Sequence, residues 1–145
     1  FAIVSGVVGA SLSSGVILIL GIASLFADAF SMGVSNYFSQ SSDNDLQDHE
    51  HKNAKKTALI TFIAFVLVGA IPLIPYVFDY VLELNSNKTF IWSTVFTLIA
   101  FYFIGWMKGN FTKGSKAKSG FEVLLIGAVA SFIAYFIGYL LSQIV

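Results

Sequence analysis

The first 42 residues of the chain carry one charged side chain, Asp28, and this uncharged run ends only at Asp43. An α-helix needs about 20 residues to cross the hydrocarbon core of a bilayer, so a run of this length must turn back once. The stretch "GASLSSG", residues 9–15, interrupts the large apolar residues with small and hydroxyl ones, and it predicts the turn. The sequence therefore predicts a short first helix at residues 1–11 and a full span at residues 14–39.

Three further apolar segments follow, at residues 57–82, 89–108 and 121–145. Pro72 and Pro75 are expected to kink or end the helix in the first of them. Of all residues 57% are hydrophobic and 11% are charged, whereas soluble domains carry about 25% charged residues. The predicted fold class is an all-α polytopic membrane protein with five transmembrane helices, the first truncated. We expect residues 1–145 to form a single transmembrane helical domain in contact with the lipid bilayer.

Several classes of function have no support in the sequence. The formal net charge is zero, so overall basicity gives no argument for binding nucleic acid. There is no Cys, which excludes disulfides and thiolate metal sites. No nucleotide-binding loop or nucleophile and His pair appears, so we expect no enzyme activity, no cofactor, and transport driven by gradients if there is any. No signal peptide is apparent, and a start within an apolar run suggests a missing upstream piece.

The lysines predict the orientation in the membrane. Seven of the eight lie in two segments, residues 40–56 and 108–120, while the segment 83–88 holds only Lys88. Two predicted spans separate the Lys-rich segments, so both lie on one side of the membrane. Cytosolic loops retain positive charge, so this side is expected to be the cytosol. The C-terminus is then expected on the opposite side.

Asp28 lies within the second predicted span, where a carboxylate costs about 2.5–3.5 kcal/mol on insertion scales. One interpretation is a packed interface in which Asp28 bonds to a neighbouring helix. The other is an ion pathway in which Asp28 and Met32, one helical turn apart, present a carboxylate oxygen and a thioether sulfur to one metal ion. The sulfur favours first-row transition metals over Mg²⁺ and Ca²⁺. Helical spacing adds small or polar residues to the same stripe, namely Gly21, Ser24, Ser35 and Ser39.

The segment "SSDNDLQDHEHKNAKK", residues 41–56, is predicted to be a loop and is the densest in metal-binding side chains. Its carboxylates and imidazoles are Asp43, Asp45, Asp48, His49, Glu50 and His51. Such donors suit Fe²⁺, Mn²⁺ or Zn²⁺, although no fixed zinc-type spacing is present. The loop is either a solvated connection or a loose antenna that captures cytosolic metal. Glu122, at the start of the fifth span, is either a metal-binding residue on the same side or an acid favoured by the helix dipole.

The fifth span also contains small residues at helical spacing. Gly127, Ser131 and Gly138 are predicted to form a face that packs against Gly105 or across a dimer seam.

Several stretches resemble the vacuolar iron transporter family. Within this family, the chain is most similar to bacterial or nodulin-like members that lack the large cytoplasmic metal-binding domain. The stretches look like the family's second, third and fifth membrane helices, namely "GASLSSGVILILGIASLFADAFSMGVSNYFS", "TFIAFVLVGAIPLIPY" and "KSGFEVLLIGAVASFIAYFIGYL". The resemblance implies a five-helix protomer, a homodimer, and export of Fe²⁺, often also Mn²⁺, from the cytosol in exchange for protons. The family's "DG.SM"-type motif falls on Asp28 through Met32, with Ala29 where Gly is usual, and implies that Met32 is the pathway methionine.

Two features depart from the family pattern. The family's first helix usually opens with an Asp-Gly motif just ahead of the segment that matches "FAIVSGVVGA", and this sequence does not contain that motif. Many members also insert a Glu-rich metal-binding domain between the second and third helices, where this chain has only about 17 residues.

Two functional hypotheses follow. The first is a secondary transporter with Fe²⁺ or Mn²⁺ as substrate, in a bacterial cell membrane or, alternatively, a vacuolar membrane. The second is a non-transporting membrane scaffold with Asp28 as a buried structural acid. An intramembrane enzyme is least favoured, on the premise that no span holds a partner acid for Asp28.

Overall fold

The structure is a computed structural model that describes residues 1–46, 53–82, 88–111 and 115–144. These residues form six α-helices and one 3₁₀ turn at Ile71–Leu73, and they contain no β-strand. The helices are α1 (Ala2–Gly9), α2 (Ser14–Leu46), α3 (Ala54–Gly69), α4 (Ile74–Val81), α5 (Thr89–Phe111) and α6 (Lys116–Ser142). The all-α fold class is confirmed.

Within the described residues, four helical stretches are long and apolar enough to cross a membrane, with α3 and α4 counted together. They are Ser14–Asn44, Ala54–Val81, Thr89–Asn110 and Lys116–Ser142. Large apolar side chains are exposed along them: Phe132 is 70% exposed, and Ile126 and Leu67 are each 68% exposed. Extensive apolar surface of this kind is stable in lipid and not in water. The protein is therefore an integral membrane protein, and α1 is an additional short helix.

A tight turn joins α1 to α2. α1 ends at Gly9 and α2 begins at Ser14, as the small residues of this segment predict. Ser11 has φ of 59°, in the left-handed region, which a small residue in a turn tolerates better than a β-branched one. The backbone N–H of Leu12 donates to the carbonyl oxygen of Val7 at 3.2 Å. A backbone N–H of the turn thus pairs with a carbonyl oxygen at the end of α1 that the helix itself leaves without a partner.

The third predicted span is interrupted where its prolines lie. Pro72 is part of the 3₁₀ turn, and Pro75 lies in the first turn of α4, where a helix does not need the missing N–H. The Oγ of Ser93 on α5 donates to the carbonyl oxygen of Pro72 at 2.6 Å. A backbone acceptor freed by the break is therefore paired, as a low-dielectric environment requires. The predicted interruption is confirmed.

Two helices run five residues or more beyond the ends expected from hydropathy. α2 continues past residue 39 to Leu46, and α6 begins at Lys116 instead of residue 121. Hydropathy marks the thickness of the hydrocarbon core, whereas a helix continues into water until a breaker ends it. Neither Gly nor Pro occurs in residues 40–46, so the polar end of α2 remains helical.

The described chain forms two compact units, Phe1–Gly21 with Ile71–Val145, and Ile22–Ala70. In the first unit α6 packs along α1 and along α5. Gly138 of α6 lies directly on the backbone of Gly6 in α1, and Gly9 of α1 lies on the carbonyl group of Tyr135. Such backbone approach through small residues is typical of helices packed within membranes.

The predicted contact of the small-residue face of α6 with Gly105 is wrong, while packing across a dimer seam stays a prediction. Gly105 lies against Ser119 and Gly120, near the start of α6, and Gly127 lies against the ring of Phe101. A short connection makes α5 and α6 antiparallel, so the end of α5 meets the start of α6. Gly138, near the other end of α6, lies against α1.

The second unit pairs α3 with the later part of α2. Leu25 contacts Gly69, and Gly33 lies close to the backbone of Ala58. Asn36 Nδ2 donates a hydrogen bond to Thr61 Oγ1 at 2.7 Å, which joins the two helices through side chains. Asn53 caps the start of α3 by accepting a hydrogen bond from the backbone N–H of Lys56 at 3.2 Å. Small residues and one polar pair thus fix the α2 and α3 contact.

Candidate functional site

Asp28 and Met32 lie one turn apart on α2 and belong to the second unit. Because α2 is continuous through both, their side chains project from the same face of the helix. Asp28 is exposed, and Met32 is 48% exposed. The carboxylate and the thioether are therefore both accessible on the surface of a single chain.

The α3 helix packs on a different side of α2. Gly33 and Asn36 meet α3, whereas Asp28 lies about 140° round the helix from Gly33 and about 80° from Asn36. Within the single chain, Asp28 is thus not the buried structural acid of the scaffold hypothesis. Burying it would require another surface to cover this face.

The polar stripe around Asp28 is partly open. Ser35 and Ser39 are exposed and Ser24 is half-buried, whereas Gly21, in the first unit, is buried. The open part of the stripe runs toward the Lys-rich segment that follows α2.

The predicted antenna is only partly covered by the structure. Asp48, His49, Glu50 and His51 lie outside the described residues. The segment is helical as far as Leu46, which corrects its predicted start as a loop, and Asp43 is exposed there. Within residues 1–46, 53–82, 88–111 and 115–144, no three His, Cys, Asp or Glu side chains lie together as a metal site.

Glu122 is exposed on α6. α6 begins at Lys116 and has no acid in its first turn. The dipole of a helix acts on charges within its first turn, so the dipole explanation of Glu122 is wrong. A metal-binding role on the Lys-rich side stays a prediction.

A second acid lies within a span, and the sequence analysis missed it. Asp79 of α4 is 7% exposed, and Ser14 Oγ donates to its Oδ2 at 3.0 Å. Asp79 is therefore a second acid within a span, and it belongs to the first unit, whereas Asp28 belongs to the second. That Asp28 has no partner acid stays a prediction. The signal was present in the sequence, because Asp79 lies within the predicted span 57–82 just as Asp28 lies within its own.

The Asp79 and Ser14 pair connects two helices of the first unit. Ser14 is the first residue of α2, and Asp79 lies in the last turns of α4. The hydroxyl of Tyr76, on the same face of α4, is buried and has no hydrogen-bond partner among the described residues. This polar cluster therefore ties the start of α2 to α4 inside the unit.

Comparison with known proteins gives the relationship of the chain. The sequence model of the VIT family matches residues 1–57 and 46–139. Vacuolar iron transporter 1 of Eucalyptus grandis is 28% identical, over 93% of this chain and 78% of that protein. Vacuolar iron transporter 1 of Arabidopsis thaliana is 27% identical, over 93% and 77%. The vacuolar iron transporter of Plasmodium berghei is 24% identical, over 98% and 77%.

The two matched segments meet at residues 46–57, where α2 is connected to α3. The alignment with the Eucalyptus protein runs over 197 positions, more than the 145 residues of this chain, so that relative contains residues without a counterpart here. The family match nevertheless extends from the first helix into α6. Because the family match covers far more than half of the residues of this chain, the chain belongs to the VIT family.

Proposed function

We propose that this protein is a secondary transporter that exports Fe²⁺ from the cytosol. Relatives with similar sequences are named iron transporters, and four stretches of the described chain are long and apolar enough to span a bilayer. The observation that carries the proposal is the exposed pair of Asp28 and Met32 within a span. An acid at such a position is costly unless it faces a cavity, a partner or an ion pathway.

The donor types favour a transition metal as the substrate. Carboxylate oxygen binds most divalent ions, but Mg²⁺ and Ca²⁺ prefer shells made of oxygen alone. A thioether adds affinity for softer ions, and Fe²⁺ ranks above Mn²⁺ in the general order of affinities. We therefore propose Fe²⁺ as the preferred substrate and Mn²⁺ as a weaker one.

We propose that the transporter is a homodimer. A divalent transition metal takes about four to six ligands, and Asp28 and Met32 of one chain supply two. A two-fold axis beside this face of α2 would bring two carboxylates and two thioethers together. The serines of the stripe would allow close approach of the two helices. The exposure of the pair in one chain supports this arrangement.

The first test concerns proton coupling. A carboxylate must lose its proton to bind metal, so Fe²⁺ and H⁺ compete for it. In liposomes that trap an Fe²⁺-sensitive dye, uptake should rise several-fold when the interior is more acidic than the bath and fall when the gradient is reversed. Protein-free liposomes provide the control. Uptake of the same rate under both gradients would indicate a channel-like pathway and contradict exchange.

The second test concerns the segment between α2 and α3. We propose that Asp48, His49, Glu50 and His51 capture cytosolic metal, and that Glu122 assists on the same side. Replacing the first four with Ser should raise the Fe²⁺ concentration for half-maximal uptake and leave the saturated rate nearly unchanged, because capture limits transport only at low concentration. Gln47→Ser is the matched control in the same segment. An unaltered concentration dependence would identify the segment as a solvated connection.

The relatives also bear on the location. Those compared come from plants and from Plasmodium and are named for the vacuole. They give no support to a bacterial cell membrane. We therefore favour the vacuolar membrane, the second of the two expected locations.

A further inference from the structure

A groove of about 500 Å³ lies between α2 and α3 in the second unit. Its floor is formed by Gly33 and Ala58, where the two backbones approach: a Cβ on Gly33 would lie 3.2 Å from the carbonyl oxygen of Ala58. Large side chains stand on either side of this floor, among them Phe30, Phe38 and Phe62. Phe30 is 66% exposed and Phe38 is 63% exposed. Small residues beneath exposed aromatic ones therefore make an apolar slot between the two helices.

One end of the groove carries a positive charge. Among the described residues, Lys55 is the one charged side chain that lines the groove, and it lies in the first turn of α3. Lys55 and its neighbour Lys56 are both exposed. The lysine distribution predicts that this end of α3 faces the cytosol. The groove therefore starts at the water boundary and runs into the apolar region.

We propose that this groove binds one anionic phospholipid of the cytosolic leaflet. The lipid phosphate lies against Lys55, and one acyl chain follows the floor at Gly33 and Ala58. The distance along α3 from Lys55 to Phe62 is roughly 10 Å, enough for the upper part of an acyl chain. Basic pockets between membrane helices on the cytosolic side have the chemistry that lipid phosphates require.

Headgroup charge supplies the selectivity of this site. The bilayer is as apolar as the groove, so moving an acyl chain from one to the other contributes little by the hydrophobic effect. The shape of the slot determines where the acyl chain lies, and the charge of Lys55 determines which headgroup binds. The site should therefore distinguish phosphatidylglycerol from phosphatidylcholine, since the latter carries a compensating positive charge.

The groove is separate from the face of α2 that carries Asp28. Among the residues of α2 that line the groove, Phe30 lies about 160° round the helix from Asp28 and Gly33 about 140°, while Phe38, at about 80°, lies closest to the Asp28 face. A dimer formed through the Asp28 face would leave the groove open to lipid. The lipid proposal therefore stands independently of the transport proposal.

The test is native mass spectrometry of the detergent-purified full chain in equal amounts of phosphatidylglycerol and phosphatidylcholine. We expect the protein to retain phosphatidylglycerol at least fivefold more than phosphatidylcholine. Lys55→Gln should remove this preference. Lys118→Gln, which removes another exposed lysine on the same predicted side, should leave it intact. Ala58→Leu should reduce the binding of both lipids by raising the floor.

Several outcomes would overturn the proposal. Equal retention of the two lipids by the wild type would remove the anionic site. An equal loss of preference in Lys55→Gln and Lys118→Gln would reduce it to a general charge effect. A changed ratio of monomer to dimer in Ala58→Leu, with lipid binding unaltered, would identify the groove as an interface between copies. Val34→Phe, which narrows the groove from its exposed edge, provides the same test if Ala58→Leu does not fold.

Discussion

Asp28→Asn is expected to reduce Fe²⁺ uptake into liposomes by about tenfold or more, because losing even a group that only orients a metal ligand costs about 10–100-fold in affinity or activity, and Asp28 is proposed as a direct ligand. The substitution keeps the shape of the side chain and removes its charge. Since a charge within a span costs about 2.5–3.5 kcal/mol, the variant should insert and melt at the same temperature as the wild type or higher. Uptake and stability should thus move apart. The measurement pairs liposome uptake with the melting temperature in detergent.

Met32→Leu is the companion variant for the same site. It keeps the volume and removes the sulfur, and near-isosteric apolar changes cost less than about 1.5 kcal/mol in stability. Its effect should be on selectivity, with uptake of Fe²⁺ weakened relative to that of Mg²⁺.

Full uptake by Asp28→Asn would contradict the assignment of Asp28 to a metal pathway. Uptake that falls in step with melting temperature and dimer content would instead make Asp28 a structural acid.

The membrane class and its breaks could be predicted because they depend on local properties of the chain. Span length follows from hydropathy. A proline in the interior of a helix, as Pro72 would be in an unbroken span, interrupts the helix because it lacks an N–H donor and its ring crowds the preceding turn. The ends of α2 and α6 could not be predicted in the same way. They lie in polar sequence beyond the hydrocarbon core, so hydropathy does not mark them, and the helix continues until a breaker or a cap ends it.

Contacts between helices were the part that sequence could not supply. Spacing alone placed Asp28 and Met32 on one face, because both lie on one continuous helix. The exposure of that face depends on where α3 packs, which is set by Gly33 and Asn36 and their partners. Asp79 was missed for a related reason: its apolar neighbours dominate the hydropathy of the span, and only the fold reveals its bond to Ser14.

The charge on Lys55 shows how one residue can have both a local and a tertiary meaning. In the sequence it serves only to predict orientation. In the structure it lines the end of an apolar groove whose floor comes from two helices. The groove has no signature in either helix alone, because Gly33 and Ala58 become a floor only when they face each other.

Gly138→Ala is expected to be strongly destabilising, by about 1–3 kcal/mol or more, the range found for overpacked interiors. The new Cβ would lie 2.8 Å from the carbonyl carbon of Gly6 and 3.1 Å from its Cα. These are backbone atoms, so no side-chain rotation relieves the clash, and α1 must move away from α6. The melting temperature in detergent is the measurement, and uptake should fall together with it.

Gly127→Ala is the matched control because it changes the same residue type on the same helix. Its Cβ would collide with the ring of Phe101, a side chain on α5. A ring can turn or shift, whereas the backbone of Gly6 can move only with its helix, so the control should lose much less stability. If Gly138→Ala and Gly127→Ala both melt close to the temperature of the wild type, α1 and α6 can separate at little cost. In that case the Gly138 contact would not hold α1 in place, and the first unit would depend on its α5 and α6 pairing instead.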